Sequence, residues 1–257
     1  MPGIRLSDIT WEEARDAVER YPVALLPIGG GSKEHGPHLP LGTDQLVVDD
    51  LARRVVEAAP VMLLPTLAYA YYPAFVDWAG SVSIEAKHFT DFVGDIIRSL
   101  YRHGTRKFLI LDGGVSTHPP LKTLSSDLHQ ELNVWVGVTD ILGLGAEVYA
   151  EIEEQERGGH ADEMETSCIL ALRPDLVHME KAPREWRTGI KGAFGPGGVK
   201  KVHVGGKMRT PHGINGDATL ATVAKGEKAL AAMAQDIVTF VEHFIDLPLP
   251  GPSQMGA

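Results

Sequence analysis

Between Gly29 and Asp44 the chain reads GGGSKEHGPHLPLGTD, which sets Lys33, Glu34, His35, His38 and Asp44 in a segment that glycines and prolines keep out of regular structure. Imidazole and carboxylate groups together suit a borderline divalent ion such as zinc, manganese or iron, and they bind it only when deprotonated, which neutral pH allows. The plainer reading is a solvated loop whose histidines meet only water. A second concentration is Gly158-Gly-His160-Ala-Asp162-Glu163-Met-Glu165-Thr-Ser167. Helical spacing separates a core stripe of Met164, Cys168 and Ala171 from a face carrying His160, Glu163 and Ser167. Asp162 and Glu165 have the spacing of a capping box, which gives both a structural task and leaves Glu163 as the acid to pair with His160 in ligation and acid/base work. His118, in Val115-Ser-Thr-His-Pro, lies at the mouth of another strand-to-helix loop. It is either a further ligand or acid/base, or an exposed histidine in a turn.

Those residues need elements that hold them. Pro22 to Ile28 has the composition of a buried strand, and a loop at the carboxyl end of such a strand is where open α/β sheets bind ligands. Leu46, Val47, Leu51, Val55 and Val56 predict a helix over 45–59, with Asp44 at or just before its start, a position where Asp is also a good N-cap. A second strand, 61–66, opens into the stretch 68–81 with Tyr69, Tyr71, Tyr72, Phe75, Asp77 and Trp78. So aromatic a connector lines either a substrate pocket or a subunit interface. Tyr72, Asp77 and Trp78, with Ser116 from the later loop, are the candidate substrate contacts. Further helices are expected over 7–20, capped by Ser7, and over 87–103, 143–154 and 218–245. Strands are expected over 107–111 and 133–139, and an antiparallel pair around Val199 to Val204.

A chain of 257 residues with 44% hydrophobic content can bury one large α/β core, expected over 1–247 with a loose tail over 248–257. The net charge of -10 and the absence of an extended lysine or arginine cluster argue against a nucleic-acid footprint. The single cysteine, Cys168, and the lack of a basic-then-apolar leader point to a reducing cytoplasm. No apolar run reaches the length of a membrane span.

Four motifs in order, HGPHLPLGTD (35–44), FLILDGG (108–114), HADEMETS (160–167) and GINGDATLATVAKG (213–226), resemble the creatininase, or creatinine amidohydrolase, family along nearly the whole chain. The resemblance implies a layered α/β/α fold around a mainly parallel sheet, one or two divalent ions, hydrolysis of carbon–nitrogen bonds in amides, cyclic amides or formamides, and commonly a hexamer. The family also includes a relative acting on a keto-inositol. His35 and Asp44 carry over as metal ligands, and His160 and Glu163 match the family's His-Ala-Gly-Glu pattern with Asp162 in place of Gly. Two positions depart. Lys33 stands where the family's first motif has a ligand Glu, leaving Glu34 beside His35, and Gly114 stands where the strand-108 motif supplies a ligand histidine, with His118 four residues later. The resemblance therefore implies a single ion, with Lys33 as a fixed charge in the vacated place, able to hold a substrate oxygen.

The expected chemistry is metal-assisted hydrolysis of a small molecule. One ion, held by His35, Asp44 and others drawn from Glu34, His118 and Glu163, activates a water and polarises a carbonyl, while His160 or Glu163 moves the proton. The alternatives are a hydrolase or isomerase of a cyclic sugar ketone, with Lys33 and Asp77 on hydroxyls, and a metal-free binding protein.

Overall fold

The computed structural model describes residues 1–187 and 210–251. Five strands, β1 (Ile4–Arg5), β2 (Val23–Ile28), β3 (Val61–Leu63), β4 (Lys107–Asp112) and β5 (Trp135–Val138), form one sheet in the order β1-β3-β2-β4-β5. Every pairing is parallel, and the central register runs from Val23 opposite Lys107 to Ile28 opposite Asp112. Parallel strands need helical crossovers and bury both faces, which is why β2 and β4 read as unbroken apolar runs.

Alternate residues of those strands feed two separate cores. Val23, Leu25, Leu109 and Leu111 pack with helices α2 (Thr43–Ala58), α6 (Glu163–Leu172) and α7 (Val223–Asp246). Ala24, Leu26, Phe108 and Ile110 pack with α1 (Trp11–Arg20), α3 (Ala86–Arg102) and α4 (His118–Leu132). The result is a layered α/β/α architecture with a parallel centre. A short helix α5 (Ala146–Ile152) leans on the first core through Tyr149 and Ile152. Among the described residues, no helix is long and apolar enough to cross a membrane.

Several boundaries differ from those read in the sequence, each for a local reason. The first helix is capped not by Ser7, whose hydroxyl turns to Asp8, but by Thr10, which forms a reciprocal capping box with Glu13. Trp11, the first residue of that helix, is 76% exposed. The second strand stops at Leu63 and the 143–154 helix shrinks to 146–152, with Gly145 in the left-handed region before it. An antiparallel pair exists, but between β6 (Arg184–Glu185) and β7 (Gly216–Asp217). The pair expected around Val199 to Val204, and most of the expected tail, lie outside the described residues.

Helices α6 and α7 approach closely because residue 226 lacks a side chain: a carbon added to Gly226 would lie 1.9 Å from the Ser167 carbonyl oxygen. In Gly226→Ala a gain of up to about 1 kcal/mol in helix propensity competes with an overpacking cost of about 1–3 kcal/mol. The expected outcome is a lower denaturant midpoint with an unchanged slope; a midpoint at or above wild type would show that the two helices are not held in contact here.

Candidate active site

β2 and β4 end side by side, and both run into glycine turns. From β2 the chain passes through Gly29, Gly30 and Gly31 into the Lys33–Asp44 loop, and Asp44 becomes the second residue of α2. There its carboxylate is buried and doubly engaged: His35 Nε2 lies 2.7 Å from Oδ1, and Lys33 Nζ lies 2.6 Å from Oδ2. Burial alone would raise this carboxyl; the charges of Lys33 and His35 overcome it and hold Asp44 well below the usual carboxylate range. Lys33 Nζ also stands 5.1 Å from the ring centroids of both Tyr72 and Phe75, so its ammonium is caged by one carboxylate and two π faces.

His35 is oriented by its other nitrogen, Nδ1, 2.9 Å from the Lys33 carbonyl oxygen. A backbone carbonyl and an ionised carboxylate both only accept, so a neutral His35 can satisfy one of them by donation and meets the other lone pair to lone pair. A proton or a metal ion resolves that conflict. The second imidazole, His160, sits 4.9 Å from His35 and 4.7 Å from Phe75, ring centroid to ring centroid. Its Nε2 is 3.3 Å from Glu34 Oε2 and its Nδ1 is 3.8 Å from Glu165 Oε2. Burial, and then the nearby His35 and Lys33, push His160 well below the ordinary imidazole value, so it is neutral. Burial pushes Glu34 and Glu165 up.

His35, His160 and Glu165 can each offer one ligand atom with all three within 4.8 Å of one another, the group among the described residues with a geometry able to hold an ion. Neutral imidazole and carboxylate are donors that zinc or manganese accepts, so the set fits one divalent ion. A second ion beside Asp44 does not fit, because the Lys33 ammonium is already there. Behind Asp44 and Glu165 lies a cavity of about 40 Å³, bordered also by Thr43, Tyr149 and Cys168, room for about three waters at about 10–15 Å³ each.

The structure corrects the pairing expected for Glu163. That carboxylate is fully buried but points away from His160, accepting from the Glu154 and Gln155 amides and from Lys225 Nζ of α7. Glu165 takes the position beside His160. The reason is that His160 is not on the helix: it makes an isolated bridge with Asn215, Ala161 turns through a positive φ of 48°, and Asp162 caps α6 through the Met164 and Glu165 amides. Helical spacing therefore does not relate residue 160 to 163. Asp162 was read as a cap, and that alone is a signal that 160 precedes the helix. Glu165 also reaches back, to the Ala161 amide rather than to that of Asp162.

The other candidates are dispersed. Glu34 joins the site. Its neighbour His38, lowered to about 4 by burial and then by His35, bonds Thr166 Oγ1 at 2.8 Å instead. His118 turns to the Thr139 carbonyl oxygen at 3.3 Å and stands 3.7 Å from Asp112 Oδ2, not with His35. Tyr72 is buried beside Lys33, Trp78 is half-buried against the second core, Ser116 is half-buried before α4, and Asp77 is exposed. Asp112, at the tip of β4, is buried in the same region and drew no notice in the sequence, where it reads as a turn residue.

Comparison with known proteins agrees with this architecture. The family described as creatininase, creatinine amidohydrolase, matches residues 7–241. A 3-dehydro-scyllo-inosose hydrolase of Thermotoga maritima is 25% identical over 95% of this chain and 84% of its own. A creatinine amidohydrolase of Pseudomonas putida is 26% identical over 94% of this chain and 97% of its own. In structure, a zinc–zinc form of a creatininase variant superimposes with a TM-score of 0.78 at 23% identity, covering 96% of this chain and all of the other.

The two glutamates of α6 should part company in experiment. Glu163→Gln leaves Lys225 with only the exposed Glu154 carboxylate as an ion partner and should cost about 3 kcal/mol of stability, whereas Glu165→Gln, which can still accept from the Ala161 amide, should unfold within about 1 kcal/mol of wild type. Chemical denaturation measures both; a Glu163→Gln protein as stable as wild type would remove Glu163 from its structural role.

Proposed function

Since the chain belongs to the creatininase family, we propose that it is a hydrolase that adds water to a carbonyl carbon of a small molecule, most simply cleaving a C–N bond of an amide, cyclic amide or formamide, with one bound divalent ion. The observation that carries this reading is the convergence of His35, His160 and Glu165, with Asp44 Oδ1 2.7 Å from His35 Nε2. A zinc or manganese ion held by His35, His160 and Glu165, with Asp44 as a fourth donor, supplies a water usable as a nucleophile at neutral pH.

The chain's own groups do the rest. The Lys33 carbonyl fixes the His35 ring, as the partners of metal-binding imidazoles commonly do. Glu34, raised by burial and within reach of His160, is a carboxyl group poised to take a proton and pass it to the leaving atom. The Lys33 ammonium balances Asp44 and offers its remaining N–H bonds to a substrate oxygen. A second reading, hydrolysis of a cyclic polyhydroxy ketone, is supported by the inosose-hydrolase relative and by this fixed cation.

Bound metal and turnover of lactams, formamides and keto-inositols test the proposal together. One ion per chain is expected in wild type, retention in Glu34→Gln with turnover reduced by about 10²-fold or more, and loss of the ion in His35→Ala and His160→Ala. Unchanged stoichiometry in both histidine variants would reject the site, and the substrate panel separates the two readings.

A further inference from the structure

The two imidazoles of this site are held in different ways. His35 is fixed through its ring, with Nδ1 2.9 Å from a backbone carbonyl oxygen. The contacts of the His160 nitrogens among the described residues are longer, 3.3 Å to Glu34 Oε2 and 3.8 Å to Glu165 Oε2. The His160 ring is therefore aimed from its backbone, and that backbone is constrained: Gly159 before it has a φ of 130° and Ala161 after it a φ of 48°. The left-handed region is costly for alanine and persists only where neighbours impose it.

The neighbour here is Asn215. Its amide donates to the His160 carbonyl oxygen at 2.8 Å, and its carbonyl oxygen accepts from the His160 amide at 3.4 Å. The side chain is used at both ends: Nδ2 donates to the Gly158 carbonyl oxygen at 2.7 Å, and Oδ1 accepts from the Arg187 amide at 3.1 Å. A carbon added to Gly159 would lie 3.7 Å from the same Nδ2, so the carboxamide runs alongside residues 158–160. Directly beyond Asn215 the β6–β7 ribbon begins, with Gly216 paired to Glu185 and Asp217 to Arg184. The Trp186 indole adds a bond to the Arg157 carbonyl oxygen at 2.9 Å, with the guanidinium groups of Arg157 and Arg184 5.9 and 5.1 Å from its ring centroid.

We propose that Asn215 is a positioning residue: its carboxamide ties the turn at 158–160 to the β6–β7 ribbon and so aims the His160 imidazole at His35 and Glu165. Partners that orient metal-binding imidazoles commonly change affinity by about 10- to 100-fold when removed, and for His160 that orientation comes through the main chain rather than a ring nitrogen. The consequence for the ion rests on the proposed function above; the aim of the ring is a property of the chain alone.

Ring-proton NMR of ¹³C-histidine-labelled protein without metal, followed by cobalt(II) titration against a competing chelator, separates the two. The His160 ring resonance, assigned by its loss in His160→Ala, is displaced by the rings of Phe75 and His35, 4.7 and 4.9 Å away. In Asn215→Ala it should move toward the position of an unpacked histidine, and cobalt affinity should fall by about 10- to 100-fold. Asn215→Asp, which keeps the acceptor for the Arg187 amide but not the donor to Gly158, should move both readings in the same direction. Lys107→Met removes the ammonium bonded to the Ile245 carbonyl oxygen, at the opposite end of β4 from Asp112, and should lower the melting temperature while leaving both readings at wild-type values. A His160 resonance unmoved in both Asn215 variants, or moved as far in Lys107→Met, overturns the proposal. Where wild type binds cobalt, an equal affinity in both Asn215 variants overturns it as well. If wild type takes up no cobalt while the resonance moves in the Asn215 variants alone, the ion reading fails and the positioning role stands.

Discussion

The buried carboxylate of Asp44 is the constraint on which the site depends. It begins a helix, where the amide dipoles favour a negative charge, and it is met from one loop by an imidazole on one oxygen and an ammonium on the other. A buried ion pair is costly to create and costlier to break, because removing one member strands the other. The surroundings are arranged around keeping it whole: glycines at 30 and 114 admit the Tyr72 ring, Phe75 closes the other side of Lys33, and the loop rejoins the sheet through Gly29 and Gly31 amides bonded to Leu67 and Ala68.

One ammonium does not balance the other acids nearby. Asp44 keeps its charge; Glu34, Glu165 and Asp112 are all pushed upward by burial, and His160 and His38 are pushed downward. The chain thereby assembles neutral imidazoles, acids that burial makes hold a proton more tightly than usual, and one fixed ion pair. Groups with divergent affinities for the proton, set a few ångströms apart, are what acid/base chemistry needs. The Glu163–Lys225 pair is kept apart from this set and ties α6 to α7 instead.

Much of the frame was legible in the sequence because it rests on local chemistry. Apolar runs ending in glycine marked β2 and β4, and the density of His, Glu and Asp after β2 marked the loop. The aromatic stretch after β3 does supply rings to Lys33, though it is Tyr72 and Phe75 that do so while Asp77 faces solvent. The HADEMETS block shows where local reading stops. Its residues were all recognised, yet the acid beside His160 is Glu165, because a backbone turn at Ala161 and the bridge to Asn215 set His160 before the helix begins.

By itself, then, the sequence determined the parallel α/β frame, the strand end that carries the site, and the presence of Lys33, His35 and Asp44 on one short loop, since each follows from periodicity and turn chemistry within a few residues. Tertiary structure alone decided which distant groups join them: His160 and Glu165 from more than a hundred residues away, His118 turned aside toward Thr139, and Asp112 buried with one oxygen bonded to Thr117 and the Gly114 amide. Periodicity gives angles between neighbours on one element, whereas the direction from that element to the site is set by packing against others, and no local pattern encodes it.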